Sequence, residues 1–249
     1  MLRADHPLKL LAFDTSTDRL SVAAQNGARV VLQSGAGGAL ASAHLIPTVQ
    51  AVLQEAGLTL AELDAIVLGR GPGSFTGVRT ACSVAQGLAF GAAGTARTVP
   101  LDTLLALAED ARHHHGCTHV VAVLDARMDE VYACAYRHDG QRWHAGGECV
   151  VCAPEDVEVP AGYTVAGHAQ AVYGARLAPH AAHVLARPQA DALLRLAHDG
   201  LARACDTSPS AAQPLYVRNK VAFTTEERAL RAAAKEAAAS SMTDAGNAP

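Results

Sequence analysis

Four glycines, one proline and two hydroxyl side chains lie within residues 69–77, GRGPGSFTG. Glycine-rich loops of this kind bind phosphate when their backbone N–H groups point at one anion. A Walker loop requires Lys and then Ser or Thr after its last glycine, but Gly77 is followed by Val78. A dinucleotide-binding loop requires G-x-G-x-x-G, and Ser74 or Thr76 replaces its third glycine in the two possible registers. Neither phosphate-binding motif is therefore present.

The glycines instead predict a tight turn between a strand and a helix. Residues 64–69 are apolar enough for a buried strand, and the chain from about Ser74 onward contains no proline and reads as a helix. Glycine alone adopts positive φ without steric cost, so this turn allows the backbone to approach another surface closely.

Two predicted hairpins carry an acid in their turn, a residue type that positions a phosphate-bound metal. The first turn follows the predicted strand 8–13 and contains Asp14, Thr15 and Ser16; the second begins at Asp125. Asp, Ser and Thr also form ordinary turns by bonding their own backbone. The spacing favours the ordinary turn, and weak nucleotide contact by the first three residues stays open.

The cysteines and histidines do not follow a metal-ligand pattern. Cys149 and Cys152 form a C-x-x-C pair inside a strand-like run, and no second pair follows. The histidine triplet 113–115 lies at a predicted helix end without a Cys or carboxylate at ligand spacing. We therefore expect reduced cysteines, no metal site and no cofactor.

The helix after Ser74 has two different faces. One follows helical spacing with small or apolar residues that suit a core: Val78, Cys82, Ala85 and Ala89. The other carries two aromatic residues among polar ones: Phe75, Arg79, Ser83, Gln86 and Phe90. Two interpretations stay open at this point, a partner-binding face or the aromatic ends of an ordinary buried helix.

The order of predicted elements is that of a mixed α/β protein. Three antiparallel strands open the chain, with Asn26-Gly27 as a hairpin turn. A helix with one apolar face follows and ends at Gly57. Further elements are a strand over 143–151 and a helix over 190–204. The alanine-rich segment after residue 223 is expected to be helical in its first half and disordered in about its last ten residues.

Composition narrows the class of protein. The chain has 249 residues, of which 50% are hydrophobic and 18% charged, with a net charge of −4. Broad nucleic-acid binding requires clustered Lys and Arg, so this balance argues against an independent nucleic-acid-binding protein. No stretch is apolar over the length of a membrane span, and MLRADHPLK lacks a signal-peptide core. We expect a cytoplasmic protein without membrane contact.

Five segments together resemble one family over residues 8–222. They are LAFDTST, AHLIPTVQAVLQEAGL, GRGPGSFTGVRTACSVAQGLAFG, LDARMDEVYACAY and LYVRNKVA, and they are similar to the TsaB (YeaZ) family. The resemblance implies the two-lobed α/β fold of actin, the sugar kinases and Hsp70. It also implies an N-terminal lobe over 1–100 with partner-binding helices, a C-terminal lobe over 101–210, and a returning segment and tail over 211–249.

The same resemblance implies a function without catalysis. TsaB proteins are non-catalytic scaffold subunits that bind TsaD, in a larger complex with TsaE. That complex transfers threonylcarbamoyl to N6 of adenosine 37 in tRNAs that read ANN codons, so tRNA would be contacted only indirectly. The residues that match the partner-binding helices are His44, Leu45, Val49, Phe75, Arg79, Ser83, Gln86 and Phe90. Without TsaD, the same surface would allow a homodimer.

Two departures from the catalytic relatives support that implication. Residues 99–105, VPLDTLL, stand where those relatives have a His-x-x-x-His metal pair. Ala126, Arg127 and Met128 stand where their second hairpin has glycines that meet phosphates. The alternative, an independent ATP-dependent phosphotransferase of the same superfamily, requires phosphate contacts from both hairpins.

Overall fold

The first of two β-sheets is built from residues 9–101 of the computed structural model, which describes residues 7–92 and 96–217. Its strands are β1 (Lys9–Asp14), β2 (Arg19–Asn26), β3 (Arg29–Ala36), β4 (Ala65–Gly69) and β5 (Arg97–Leu101). They lie in the order β3-β2-β1-β4-β5. The first three strands are antiparallel, as predicted, because Asn26-Gly27 closes a tight hairpin, whereas β4 and β5 run parallel to β1.

Two helices supply the crossovers that the parallel strands require. They are α1 (Ala41–Ala56) and α2 (Phe75–Gly91), and both pack on one face of the first sheet. Helix α1 ends as predicted at Gly57, which has a φ of 68°, and the N–H of Leu58 bonds the carbonyl of Leu53 at 2.9 Å. Helix α2 begins directly after Ser74, whose Oγ accepts a hydrogen bond from the N–H of Gly77 at 3.1 Å.

The second sheet and its helices follow. Strands β6 (His119–Arg127), β7 (Glu130–His138), β8 (Trp143–Ala145), β9 (Val150–Cys152), β10 (Thr164–Gly167) and β11 (Ala182–Val184) form it in the order β11-β10-β6-β7-β8, with β9 also pairing with β7. The remaining helices are α3 (Thr103–His115), α4 (Gln170–Tyr173) and α5 (Ala190–Arg203).

A helical layer joins the two sheets. Helix α5 covers the second face of the first sheet, α3 covers one face of the second sheet, and the two helices pack against each other in one hydrophobic core. The buried carboxylate of Glu109 in α3 accepts hydrogen bonds from Arg112, from Arg195 of α5 and from Trp143 of β8. Burial raises the pKa of Glu109, but these donors outweigh that effect and hold the pKa below its ordinary value.

One sequence-based prediction differs from this fold. The strand predicted over 143–151 is two short strands, because pairing with β7 stops after the bond from the Gly146 N–H to the carbonyl of Ala135 and resumes only at Val150. Helix α5 packs on the first sheet and lies within residues 101–210, the predicted C-terminal lobe. The lobe boundaries near residues 100 and 210 stay predictions.

The segment after α5 runs back to the first sheet. A short 3-10 turn, Pro209–Ala211, packs against α2 and β5. The N–H of Leu215 bonds the carbonyl of Arg70, and the side-chain amide of Gln86 donates to the carbonyl of Ala212, both within 2.9 Å. The predictions for the alanine-rich tail lie outside the described residues.

Candidate functional site

The exposed face of α2 carries two large aromatic side chains. Phe90 is 82% exposed and Phe75 is 45% exposed. The opposite face is buried, as the helical spacing predicts: Val78, Cys82, Ala85 and Ala89. Single exposed apolar residues are common on protein surfaces, but two on one helical stripe with a small residue, Ser83, between them favour a contact surface.

A cation lies over one of these aromatic rings. The guanidinium carbon of Arg79 is 3.7 Å from the centroid of the Phe75 ring. The Nε–H of Arg79 donates to the hydroxyl of Tyr216 at 2.7 Å, and the Phe75 and Tyr216 rings lie 6.1 Å apart. Tyr216 was not among the predicted site residues, since only the returning chain brings it next to α2. We call these three residues the aromatic–arginine cluster.

Helix α1 extends the exposed surface with other residues than predicted. Leu45 and Val49 are buried against the first sheet, so these two residues hold α1 on its own core, and the prediction that they contact a partner is corrected. Ile46 is exposed instead, next to the exposed His44, whose Nδ1 lies 3.4 Å from the carbonyl of Ala36. The candidate docking surface thus comprises His44, Ile46, Phe75, Arg79, Ser83, Phe90 and Tyr216, with Gln86 half-buried at its edge.

The glycine turn is packed against the first acidic turn. An ideal Cβ at Gly69 would lie 1.8 Å from Oδ2 of Asp14, and one at Gly77 would lie 1.9 Å from the carbonyl oxygen of Thr15. The N–H of Ser74 also bonds the carbonyl of Ser16 at 2.7 Å. The predicted close approach is therefore an approach to residues 14–16 of the same chain.

Asp14 is buried and bonded within the protein. Its Oδ1 accepts from the N–H of Ser16 at 2.8 Å, and its Oδ2 accepts from the hydroxyl of Thr103 at 2.9 Å. Thr103 in turn accepts from the N–H of Gly71 at 3.2 Å, and Thr15 donates to the carbonyl of Gly77 at 2.7 Å. Burial raises the pKa of the Asp14 carboxyl above its ordinary value. With 1% exposure, Asp14 connects the glycine turn to the start of α3.

Thr103→Val tests this connection. We expect the free energy of unfolding to fall by about 2–3 kcal/mol, because the substitution leaves Oδ2 of Asp14 and the Gly71 N–H each without this hydrogen-bond partner. Since the Thr103 hydroxyl lowers the pKa of Asp14, the loss is larger where Asp14 is ionised than in acid. Urea unfolding at several pH values measures both effects.

Thr98→Val is the matched control for this prediction. Thr98 is equally buried, but its hydroxyl has no hydrogen-bond partner among residues 7–92 and 96–217. We expect its replacement to be neutral or stabilising. Equal losses for both variants would show that methyl packing, and not the contact with Asp14, determines stability at Thr103.

The second acidic turn also uses its carboxylate internally. Oδ1 of Asp125 accepts from the N–H of Arg127 and from the hydroxyl of Tyr173, both at 2.8 Å, and its side chain is 8% exposed. Three consecutive residues, Arg127, Met128 and Asp129, have φ near +60°, a conformation that glycine adopts without strain. The carboxylates of Asp14 and Asp125 are the two that could hold a phosphate-bound metal. Both are covered and bonded within the chain, so these residues do not fit such a metal.

The thiols of Cys149 and Cys82 behave as small apolar groups. Burial raises the pKa of Cys149 to about 12 and that of Cys82 to about 11, so both are protonated at neutral pH. Within the described parts of the chain, no three His, Cys, Asp or Glu residues are grouped to hold a metal ion. In the same parts, no helix is long and apolar enough to cross a membrane.

Solved structures define the class of protein. A Pseudomonas aeruginosa protein described as similar to peptidase YeaZ superposes with a TM-score of 0.78 and 37% identity, covering 85% of this chain and all of that one. YeaZ from the same organism superposes with a TM-score of 0.75 and 36% identity over 84% of this chain and 99% of that one. The chain has the predicted two-lobed α/β fold of the actin, sugar kinase and Hsp70 class.

Sequence relatives define the family within this class. TsaB of Escherichia coli K12, a tRNA threonylcarbamoyladenosine biosynthesis protein, is 33% identical over 229 residues, 87% of this chain and 97% of that protein. TsaB of Haemophilus influenzae is 42% identical over 125 residues, 50% of this chain and 52% of that protein. The model of the TsaD family, described as tRNA N6-adenosine threonylcarbamoyltransferase, matches residues 40–245. The chain belongs to the TsaB (YeaZ) family.

Proposed function

We propose that this chain is a non-catalytic scaffold subunit that binds TsaD in the cytoplasm. It supports transfer of threonylcarbamoyl to N6 of adenosine 37 in tRNA by a complex that also contains TsaE. The observation that carries this proposal is the two-faced helix α2, which buries its small face in its own core and exposes Phe75 and Phe90. The choice of reaction is supported by the relatives, which are named as tRNA threonylcarbamoyladenosine biosynthesis proteins.

The candidate docking surface suits a helical partner. Ser83 and Gly87 lie on the exposed stripe of α2, and an added Cβ at Gly87 would meet no atom within 4 Å. A helix of TsaD can therefore approach closely between the aromatic side chains, with Ile46 of α1 beside it. Without TsaD, two copies of the chain would cover the same surface as a homodimer.

The two acidic turns support a role without chemistry. Asp14 and Asp125 are covered and bonded to donors of this chain, so neither reaches a nucleotide without rearrangement. TsaD then supplies the catalytic groups. With a net charge of −4, the chain would contribute to tRNA binding mainly through its partner.

Reconstitution tests the proposed function. Purified TsaD and TsaE of the same organism, with tRNA, ATP and the threonylcarbamoyl donor, are assayed for modified adenosine with and without this chain. We expect modification to fall to background without the chain, and the chain to co-elute with TsaD in gel filtration. An unchanged rate in its absence would contradict the proposal. Tight ATP binding by the isolated chain in calorimetry would instead favour the phosphotransferase alternative.

A further inference from the structure

We propose that Arg79, oriented by Tyr216, binds a carboxylate of the partner at the docking surface. This inference rests on the proposed function and specifies the chemistry of the partner. The observation behind it is that the guanidinium is already fixed in direction. Its Nε–H is bonded to the Tyr216 hydroxyl at 2.7 Å, and its central carbon lies 3.7 Å from the centroid of the Phe75 ring.

Residues 7–92 and 96–217 supply no acceptor for the rest of the Arg79 guanidinium. In the described residues, Arg79 is exposed and has no bond other than the one to Tyr216 and its contacts with aromatic rings. Two terminal NH2 groups thus remain as donors. Covering Phe75 and Phe90 with a partner would also remove water from these groups, and a buried cation without acceptors is strongly unfavourable.

The charge inventory of the two helices indicates which acceptor this is. Residues 41–56 and 75–91 contain one arginine, one glutamate and one histidine, so Arg79 is their sole permanent cation. Glu55 lies near the end of α1, 3.4 Å from the Gln33 amide. A single cation within an apolar stripe complements a single carboxylate, which pairs with a guanidinium through two parallel hydrogen bonds. An RNA backbone would require several cations.

Tyr216 acts on this contact as a positioning residue. Its segment is held to α2 by the bond from Gln86 to Ala212, and to the residue after β4 by the bond from Leu215 to Arg70. Its hydroxyl accepts from Nε and so restricts the rotamers of Arg79 before the partner arrives. Fixing a long side chain in advance lowers the entropic cost of binding.

Binding of TsaD to four variants tests the inference. We expect Arg79→Gln to raise Kd at least about 30-fold, as for a lost buried charge pair, and Tyr216→Phe to raise it about 3- to 10-fold. Tyr216→Phe in the Arg79→Gln background should have no further effect, because it acts through Arg79. Arg203→Gln, an exposed arginine of α5, is the control and should leave Kd unchanged.

The outcomes separate this inference from the proposed function. If the wild-type chain does not bind TsaD, the proposed function fails. If Phe90→Asp abolishes binding but Arg79→Gln leaves Kd and its dependence on NaCl unchanged, the function stands and the carboxylate contact is overturned. A Tyr216→Phe loss that persists in the Arg79→Gln background would overturn the positioning role. If Arg79→Gln weakens tRNA binding by the assembled complex while leaving Kd for TsaD unchanged, Arg79 binds RNA and the inference is wrong.

Discussion

Phe90→Asp is expected to abolish binding to TsaD while the chain itself stays folded. Phe90 is 82% exposed, so the isolated chain gains little from it, whereas a partner would bury the ring. Removing a buried Phe contact costs about 1.5–3 kcal/mol, and an unpaired carboxylate at an apolar contact adds to this cost. Together these effects raise Kd by at least about 100-fold. Isothermal titration calorimetry with TsaD measures the change.

Two further measurements make this prediction specific. The free energy of unfolding should change by less than about 1 kcal/mol, since Asp near the C-terminal end of α2 is only mildly unfavourable. Val172→Asp in α4 is the matched control, because Val172 is 57% exposed and lies on the second-sheet side of the chain. It should leave TsaD binding unchanged. Undiminished binding by Phe90→Asp would place the interface elsewhere.

Gly77→Ala is expected to destabilise the fold strongly. The new Cβ would lie 1.9 Å from the carbonyl oxygen of Thr15, so the backbone of the first acidic turn must move. That movement also breaks the bond from the Thr15 hydroxyl to the carbonyl of Gly77. We expect a loss of about 3 kcal/mol or more, which lowers Tm by about 6–12 °C in a chain of this size.

Glycine to alanine on the exposed face of α2, at Gly87, should not destabilise the protein. An added Cβ at Gly87 meets no atom within 4 Å, and alanine is the better helix former by about 1 kcal/mol. Gly87→Ala should therefore be neutral or stabilising in urea and thermal unfolding. Equal losses at both positions would show that helix α2, and not its contact with the acidic turn, determines the effect at Gly77.

Local patterns were sufficient to predict much of the fold. The Asn26-Gly27 hairpin, the end of α1 at Gly57 and the two faces of α2 each depend on residues close in sequence, and the structure confirms them. The strand predicted over 143–151 was wrong in its middle, where pairing with β7 stops at the Gly146-Gly147 pair and resumes at Val150. Those glycines are a local signal that the apolar flanks obscured.

The candidate site was less accessible from sequence, because it depends on contacts between distant segments. Helical spacing places Leu45 and Val49 on the apolar face of α1, and the structure buries both against the first sheet. Tyr216 meets Arg79 only after the chain has passed through the whole second sheet. The glycine turn packs against residues 14–16, and this contact likewise depends on the tertiary fold.

The position of α5 has a consequence for how the protein is made. All strands of the first sheet are complete at Leu101, but the helix that covers one of its faces begins only at Ala190. While the ribosome translates the intervening residues, the face with Leu10 and Val67 stays open to water or to a chaperone. A nascent chain released before residue 190 should therefore aggregate rather than persist as a folded N-terminal half.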